Sequence, residues 1–451
     1  MSLDPNALRQ WTDDHLDELI SDFQRLLNAP SVEGPAEPNA PFGAAVRQAM
    51  DVTLDLGKKF GFRCRDFDGY AQDMEIGDGE EFVASLAHVD VVPPGNGWDS
   101  DPWAAEIRDG YIYARGAEDD KGAAMASIYA VRALKELGTP LKRRVRIVIG
   151  GDEESGFCCV EHYLKVVPER PVAGFSPDGA WPFVFAEKGI LNLKIEKKIA
   201  SAHIAKAEGG ERHNMVPDRA SATVKSAEIP ATLPEGVSAV AQGDHAVWTA
   251  AGKSAHGSRP SLGVNAVALL LEGLQSLNLP DNDAWLNNAL KIARSQDGDA
   301  LGIEHEDEVT GPLTSNLGVF SYDGQTARMT INIRYPATWS LGELMARCEP
   351  TVRAMGFEVV SVDDSPPHYV PQDNPFLQAI GRIYREETGD ETPPQTMGGG
   401  TYARVLPPLV AIGAGFEGDG AAHEPNERIA IESMRKLTYL YARMLYELAN
   451  L

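Results

Sequence analysis

The chain has 451 residues, of which 43% are hydrophobic and 24% charged, a composition typical of a globular protein with room for two domains. Its formal net charge of −25 disfavours nucleic acid and anionic membrane surfaces as partners, because both would repel it. No stretch approaches the roughly 20 apolar residues of a membrane span, and the acidic start MSLDPNALRQWTDDHLDELI is unlike a signal peptide, so we expect a soluble cytoplasmic protein.

The first part of the chain alternates between helical and strand-like patterns. Helical periodicity predicts helices over residues 13–28, 42–60 and 121–138. Continuous apolar runs predict buried strands over residues 82–87, 145–150 and 172–176, and much later over 409–415. Helices that alternate with continuously apolar strands are typical of an α/β fold with a mostly parallel sheet covered on both faces.

The middle of the chain has a different pattern. From about Glu187 to Gln372, apolar and polar residues alternate, as in ILNLKIEKK and ARMTINIRYP, which is typical of antiparallel sheet with helices on one face. Helical patterns cover residues 262–278 and 341–355, and the α/β pattern returns near Pro375 and ends in a helix over 431–449. We predict an α/β domain made of residues 1–186 and 373–451, with an α+β domain of residues 187–372 inserted into it.

Polar side chains follow each apolar run of the first domain. They are His88 and Asp90 after the first run, Asp152, Glu153 and Glu154 after the second, Asp178 after the third, and His423 after the last. Asp119 precedes the helix over 121–138. Because ligands bind at the carboxyl ends of the strands in open α/β sheets, we expect these groups to converge. Imidazoles with several carboxylates suit Zn²⁺, Mn²⁺ or Co²⁺, whose charge would offset that of buried carboxylates.

Each of these residues also has a simpler interpretation. A single histidine after a strand is more often a hydrogen-bonded residue than a metal ligand, and paired acids usually lie in solvated turns. The metal interpretation depends on the whole set lying at strand ends. The four cysteines lack the spacing of a structural zinc site, and no catalytic histidine pattern accompanies Cys158 and Cys159.

Several motifs resemble a known family. SLAHVDVVPPGNGWDSDPW, RGAEDDKG, GGDEESG and SPDG resemble, in order and spacing, the M20 family of metallopeptidases. NMVPD, SAHGSRP, NIRYP and MGGGTYAR resemble more narrowly the PepV-type bacterial dipeptidases of that family. The resemblance extends through nearly the whole chain, and it implies metal-dependent hydrolysis of dipeptides.

The resemblance also implies a site with two divalent metal ions, most simply Zn²⁺, with Mn²⁺ or Co²⁺ as alternatives. One ion would be held by His88, Asp119 and Asp178, and the other by Asp119, Glu154 and His423, with Asp119 bridging and a cis peptide bond before Asp120. Asp90 would orient His88 through its second ring nitrogen, and Glu153 would be the general base. The charges of two divalent cations would balance those of Asp119, Glu154, Asp178 and ionised Glu153.

For the inserted domain, the resemblance implies a substrate-binding lid. The matching positions are Asn214, His256 and Arg334 in the inserted domain, and the resemblance adds Gly399, Gly400 and Thr401 of the α/β domain as further substrate contacts. Arg334 would bind the substrate carboxylate, and His256 would help stabilise the oxyanion. The insertion is long enough for the doubled lid of PepV-type enzymes, which supplies this histidine from the same chain, so we expect a monomer.

Two alternatives stay open. An M20 deacylase, of the succinyl-diaminopimelate desuccinylase or acetylornithine deacetylase type, shares the metal chemistry, although the long lid and GGGTYAR favour a dipeptidase. A non-catalytic binding protein on the same scaffold is disfavoured by the complete ligand set together with Glu153. Asp152 has no functional role in this scheme and is expected to be structural.

Overall fold

The computed structural model describes residues 3–277, 283–420 and 422–451. The chain folds into two compact units: unit 1 consists of Met1–Phe185, Val370–Gln395 and Thr401–Leu451, and unit 2 of Ala186–Tyr369 and Thr396–Gly400. These changes of unit lie beside the boundaries predicted after residues 186 and 372. The short return to unit 2 at Thr396–Gly400 has no counterpart in the sequence pattern.

Ten α-helices lie within the described residues. They are α1 (Pro5–Asp14), α2 (Leu16–Leu27), α3 (Ala44–Lys59), α4 (Lys121–Glu136), α5 (Cys158–Val166), α6 (Ala266–Gln275), α7 (Asp283–Arg294), α8 (Leu341–Ala354), α9 (Pro375–Thr388) and α10 (Ile431–Asn450).

The described residues also form strands, which we number in chain order. They are β1 (Arg63–Phe67), β2 (Ala71–Ile76), β3 (Phe82–His88), β4 (Glu106–Arg108), β5 (Tyr111–Tyr113), β6 (Arg144–Gly150), β7 (Ala173–Gly179), β8 (Val184–Glu187), β9 (Gly189–Lys198), β10 (Ile204–Gly209), β11 (Arg219–Val224), β12 (Val237–Gln242), β13 (His245–Ala251), β14 (Glu306–Asp307), β15 (Gly311–Pro312), β16 (Thr314–Tyr322), β17 (Thr326–Tyr335), β18 (Glu358–Ser365), β19 (His368–Tyr369), β20 (Gln395–Met397), β21 (Val410–Gly413) and β22 (Arg428–Ala430).

Unit 1 is built on a mixed sheet whose strands follow the order β1-β2-β6-β3-β7-β21-β8. The four central strands β6, β3, β7 and β21 run parallel, whereas β1, β2 and β8 pair antiparallel. All seven residues of β3 are buried, so both faces of the sheet are covered. Helices α4 and α10 pack against each other and against the central strands. The predicted α/β class and mostly parallel central sheet are therefore confirmed.

Unit 2 is built on an antiparallel sheet of eight strands in the order β12-β13-β11-β10-β16-β17-β9-β18. The burial of β9 alternates along most of its length, as expected for strands with one covered face. Helix α6 packs on β10 to β13, and α8 packs on β18. A shared apolar core, which includes Trp248 and Trp285, holds these layers together.

Most predicted helices are present, with differences at their ends. The pattern over 13–28 is a continuous helix in our prediction, but the structure has α1 and α2, which meet at His15. The helix predicted over 262–278 begins later, at α6, where the Asn265 side chain accepts the Val267 N–H; residue 278 lies outside the described residues. Ser340 and Glu343 form a capping box that sets the start of α8.

Within the described residues, no helix combines the length and hydropathy needed to cross a membrane.

Candidate metal centre

The predicted site residues of unit 1 lie at one edge of its sheet. His88 is the last residue of β3, Asp178 lies at the end of β7, and Glu153 and Glu154 lie in the turn that follows β6. Because these strands are parallel, their carboxyl ends meet at the same edge. Asp119 comes just before α4, and His423 lies in the loop between β21 and β22.

The side chains form two groups that could each hold a metal ion. His88, Glu153 and Asp178 form one group, and Asp119, Glu154 and His423 form the other; within each group, the potential ligand atoms lie within 4.8 Å of one another. Asp119 joins the groups: its Oδ1 lies 3.1 Å from His88 Nε2 and its Oδ2 lies 3.0 Å from His423 Nε2. His423 Nε2 is also 3.1 Å from Glu154 Oε1. All five predicted ligands and Glu153 are therefore brought together.

The two neighbouring aspartates before α4 have different environments. The carboxylate of Asp119 points to the two histidines, whereas Asp120 Oδ2 accepts the backbone N–H of His88 at 3.2 Å. The peptide bond between them is cis, as the family resemblance implies. This arrangement supports Asp119, and not Asp120, as the bridging carboxylate.

Asp90 contacts both the histidine and the acidic turn. The Nδ1–H of His88 donates to the backbone carbonyl of Asp90 at 3.0 Å, and the Asp90 carboxylate lies 3.4 Å from the same nitrogen. The carboxylate accepts the backbone N–H groups of Glu153 at 2.9 Å and Glu154 at 3.1 Å. Thus the two glutamates extend from a turn whose backbone Asp90 anchors.

The predicted substrate-binding residues lie mainly in unit 2. Arg334 is buried in β17, and its guanidinium donates to Asn332 Oδ1 at 3.0 Å and to the Gly398 carbonyl at 3.1 Å. His256 Nδ1 is 2.6 Å from Ser258 Oγ. The loop that carries His256 is joined to Asn214, because the Gly257 N–H donates to the Asn214 carbonyl at 2.7 Å.

The glycine-rich segment contributes to both units. Gly399 and Gly400 belong to unit 2, whereas Thr401 belongs to unit 1. Thr401 is buried, and its hydroxyl accepts the Ala403 N–H at 3.2 Å, which starts a short 3-10 turn. Thr401 therefore has a structural contact of its own, and a role for it in binding substrate stays a prediction.

Comparison with known proteins identifies the family. Residues 84–447 match Peptidase family M20/M25/M40, which covers well over half of the chain. The chain belongs to this family. It is 40% identical to the Bacillus subtilis protein named "Putative dipeptidase YtjP", over 96% of this chain and 98% of that one.

Two solved structures share the fold of this M20 peptidase. Human carnosine dipeptidase 1 matches with a TM-score of 0.59 and 17% identity, covering 99% of both chains. The Saccharomyces cerevisiae di-peptidase Dug1p matches with a TM-score of 0.61 and 13% identity, covering all of both chains. At these identities, the similarity establishes the fold.

The electrostatics of the M20 site fit bound cations. Burial raises the pKa of Glu153 well above its usual value, and the nearby Asp178 raises it further. Burial would also raise the pKa of Asp119, but hydrogen bonds with His423 and His88 hold it well below its usual value. Hydrogen bonds with Asp119 and Glu154 raise the pKa of His423 to about 10. The carboxylates thus stabilise the protonated, positively charged form of the imidazole. Bound divalent cations would supply this positive charge in place of the proton.

Glu427 is a residue of this site that the sequence analysis did not identify. It is 1% exposed and pairs with the buried guanidinium of Arg115. Its carboxylate also accepts backbone N–H groups from Gly116 at 3.1 Å, Glu118 at 2.9 Å and Asp119 at 3.2 Å. Glu427 follows His423 by four residues, so one carboxylate connects the loops that carry these two potential ligands. Polar residues surround Glu427 in the sequence, so nothing local indicates that this glutamate is buried.

Tyr402 is a second residue of this site that the sequence analysis did not identify, although it lies in the motif MGGGTYAR. Its ring packs edge-on against His88, with the centroids 5.9 Å apart, and its hydroxyl is 2.8 Å from Cys159 Sγ. Gly150 allows this approach, because a Cβ there would lie 2.5 Å from the Tyr402 hydroxyl. Tyr402 therefore supports His88 from the side of the sheet edge.

Asp152 and the adjacent cysteines have structural contacts. Asp152 Oδ2 accepts the Cys158 N–H at 2.9 Å, at the start of α5. Burial raises the pKa of Cys159 to about 12, which leaves its thiol protonated and a poor nucleophile near neutral pH. These contacts agree with the structural role expected for Asp152 and argue against a cysteine nucleophile.

Replacement of Glu427 should weaken metal binding. In Glu427→Gln, the amide keeps one accepting oxygen but turns an N–H₂ group towards donors, so the loop before Asp119 loses part of its support. We expect affinity for Zn²⁺ or Mn²⁺, measured by calorimetry, to fall by about 10- to 100-fold, as for other residues that orient ligands. Glu424→Gln, which changes an exposed glutamate in the same loop, is the control. Equal affinities in the two variants would refute this positioning role.

Proposed function

We propose that this protein hydrolyses the peptide bond of dipeptides by means of two divalent metal ions and Glu153 as general base. The observation that supports the proposal most is the position of Asp119, whose two oxygens face two different histidines at 3.1 and 3.0 Å. A carboxylate in this position can bridge two ions. The name of the Bacillus subtilis relative and the dipeptidases that share the fold favour dipeptides as substrates.

In this proposal, His88, Asp119 and Asp178 would hold one ion, and Asp119, Glu154 and His423 would hold the other. The mixture of imidazole and carboxylate donors favours Zn²⁺, with Mn²⁺ or Co²⁺ as alternatives. When bound, the ions would lower the pKa of a water molecule and polarise the carbonyl group of the substrate.

Glu153 would carry the proton between the water and the leaving amine. Its carboxylate lies close enough to His88 and Asp178 to be a ligand of the same ion. Asp119 also contacts His88 and can be the third ligand of that ion, so Glu153 is not needed as a ligand. Burial raises the pKa of Glu153, so its carboxyl group can both accept and release a proton. The hydrogen bond from its backbone N–H to Asp90 fixes the base in the turn.

Unit 2 would bind the substrate. The Arg334 guanidinium is oriented by Asn332 and the Gly398 carbonyl, which suits it to bind the C-terminal carboxylate of a dipeptide. His256 and Asn214 would stabilise the negative charge that develops on the carbonyl oxygen, and Gly399 and Gly400 would offer close backbone contacts. Monomeric state and cytoplasmic location stay predictions.

The proposed activity should depend on metal and on substrate length. We expect chelation to abolish hydrolysis of Ala-Ala, and either Zn²⁺ or Mn²⁺ to restore it. A panel of dipeptides, tripeptides, N-succinyl amino acids and N-acetyl amino acids, assayed by release of free amine, tests the substrate class. Faster turnover of an acylated amino acid than of every dipeptide would favour the deacylase instead.

Loss of the general base should abolish turnover without loss of metal. Glu153→Gln keeps the shape of the side chain but cannot accept the proton, so we expect kcat to fall by about 100- to 10,000-fold. The metal content, measured by mass spectrometry, should stay at two ions per chain. Glu161→Gln, at an exposed position of α5, should behave as the unchanged protein. Turnover near that of the control would rule out Glu153 as the base.

The role of Arg334 should depend on the free carboxylate of the substrate. Arg334→Ala should lower kcat/KM for Ala-Ala by about 100-fold, because a charge-assisted hydrogen-bonded pair is lost. The loss should be much smaller for Ala-Ala amide, which lacks the carboxylate. Arg328→Ala changes an exposed arginine of the same strand and serves as control. Equal losses on both substrates would show that Arg334 is structural.

A further inference from the structure

A pocket within unit 2 has more positive charge than the proposed function requires. It has a volume of about 460 Å³ and is lined by Lys188, His256, Ser258, Arg259, Thr310, Thr396, Met397, Gly398 and Gly399. None of these lining residues is acidic, although the chain has a net charge of −25. Pockets for small ligands typically measure roughly 300 to 1,000 Å³, so this volume is large enough for part of a small substrate such as one side chain.

Lys188 is held at the wall of this pocket. It is half-buried, and its ammonium group donates to the Pro312 carbonyl. Burial lowers the pKa of Lys188, whereas the charges of Asp307 and Glu306 raise it. Asp307 is not a lining residue, and its oxygens accept hydrogen bonds from Thr310 and Thr338. An anion in the pocket would therefore meet a positioned cation.

Arg259 supplies a second cation. Its backbone N–H donates to the His256 carbonyl at 2.9 Å, and its side chain is exposed. No carboxylate among the described residues forms an ion pair with it. Burial lowers the pKa of His256, and Arg334 and Arg259 lower it further, so the imidazole stays neutral near pH 7. The positive charge of the pocket wall therefore comes from Lys188 and Arg259.

The pocket adjoins the residue that would bind the substrate carboxylate. The Arg334 guanidinium donates to the Gly398 carbonyl at 3.1 Å, and Gly398 lines the pocket. One terminal carboxylate can neutralise Arg334, so the dipeptide backbone does not need the positive charges of Lys188 and Arg259 at the pocket wall.

We propose that Lys188 and Arg259 bind an acidic side chain on the C-terminal residue of the dipeptide. This inference, which rests on the proposed dipeptide hydrolysis, makes Xaa-Glu and Xaa-Asp the preferred substrates. An acidic side chain gains charge-assisted hydrogen bonds from both cations. An apolar side chain would displace water from the two cations without forming hydrogen bonds to them, so it is disfavoured.

The test compares two dipeptides that differ in the charge of one side chain. Ala-Glu and Ala-Gln have almost the same shape, so their ratio of kcat/KM isolates the effect of the carboxylate. We expect Ala-Glu to be preferred by about tenfold or more, as for other hydrogen bonds to charged groups. The preference should fall as ionic strength rises, because salt screens charges near the surface.

Variants locate the source of the preference. Arg259→Gln and Lys188→Met should each lower the ratio for Ala-Glu over Ala-Gln by about threefold or more, and Arg259→Lys should keep most of it. Arg353→Gln, which changes an exposed arginine of α8 outside the pocket, should leave the ratio unchanged. Melting temperatures identify a misfolded variant, and if Lys188→Met does not fold, the result for Arg259→Gln decides.

The possible outcomes separate this inference from the proposed function. Hydrolysis of dipeptides without an acidic preference overturns the inference alone, and so does a preference that survives both Arg259→Gln and Lys188→Met. Hydrolysis of N-succinyl amino acids but of no dipeptide overturns the proposed function and this inference with it. A preference for Ala-Glu that falls in the two variants but not in the control supports both.

Discussion

The Asp119 carboxylate places one oxygen 3.1 Å from His88 and the other 3.0 Å from His423, and this contact links the two groups of potential ligands in the candidate site. It brings together the end of a central strand and a loop more than 300 residues later in the chain. Without a source of positive charge, this cluster of carboxylates would be unfavourable to bury. The pKa of His423 is raised because nearby carboxylates stabilise its protonated form. The pKa of Glu153 is raised because burial and the charge of Asp178 disfavour its ionised form.

Two further carboxylates hold the loops around this cluster by binding backbone N–H groups. Asp90 accepts the N–H groups of Glu153 and Glu154, and Glu427 accepts those of three residues up to Asp119. Both carboxylates are buried, so these hydrogen bonds are protected from competition with water. The position of a potential ligand is therefore set by the main chain next to it, and not only by the rotamer of its own side chain.

The two units differ in the sign of the charge that they bury or present. The site of unit 1 gathers carboxylates, whereas the pocket of unit 2 is lined by lysine and arginine among its charged groups. In the proposed reaction, these two environments serve different parts of the substrate. Cations bound by unit 1 would act on the peptide bond, and the arginines and lysine of unit 2 would bind its carboxylates.

The sequence by itself determined the fold class, the central strands and the candidate metal ligands. Apolar runs show which strands are buried on both faces, and the residue that follows such a run lies at a sheet edge whatever the rest of the fold is. The resemblance to M20 peptidases added the expectation that Asp119 bridges two ions, together with the candidate substrate contacts, such as Arg334.

Only the tertiary structure decided which groups support the ligands. Glu427, Tyr402 and the carboxylate of Asp90 act through contacts with residues far away in the chain or with backbone N–H groups, and no local pattern records such partners. Packing between elements also determines the break between α1 and α2 and the return of Thr396–Gly400 to unit 2. Periodicity reports burial along one element, whereas these features depend on which elements pack against each other.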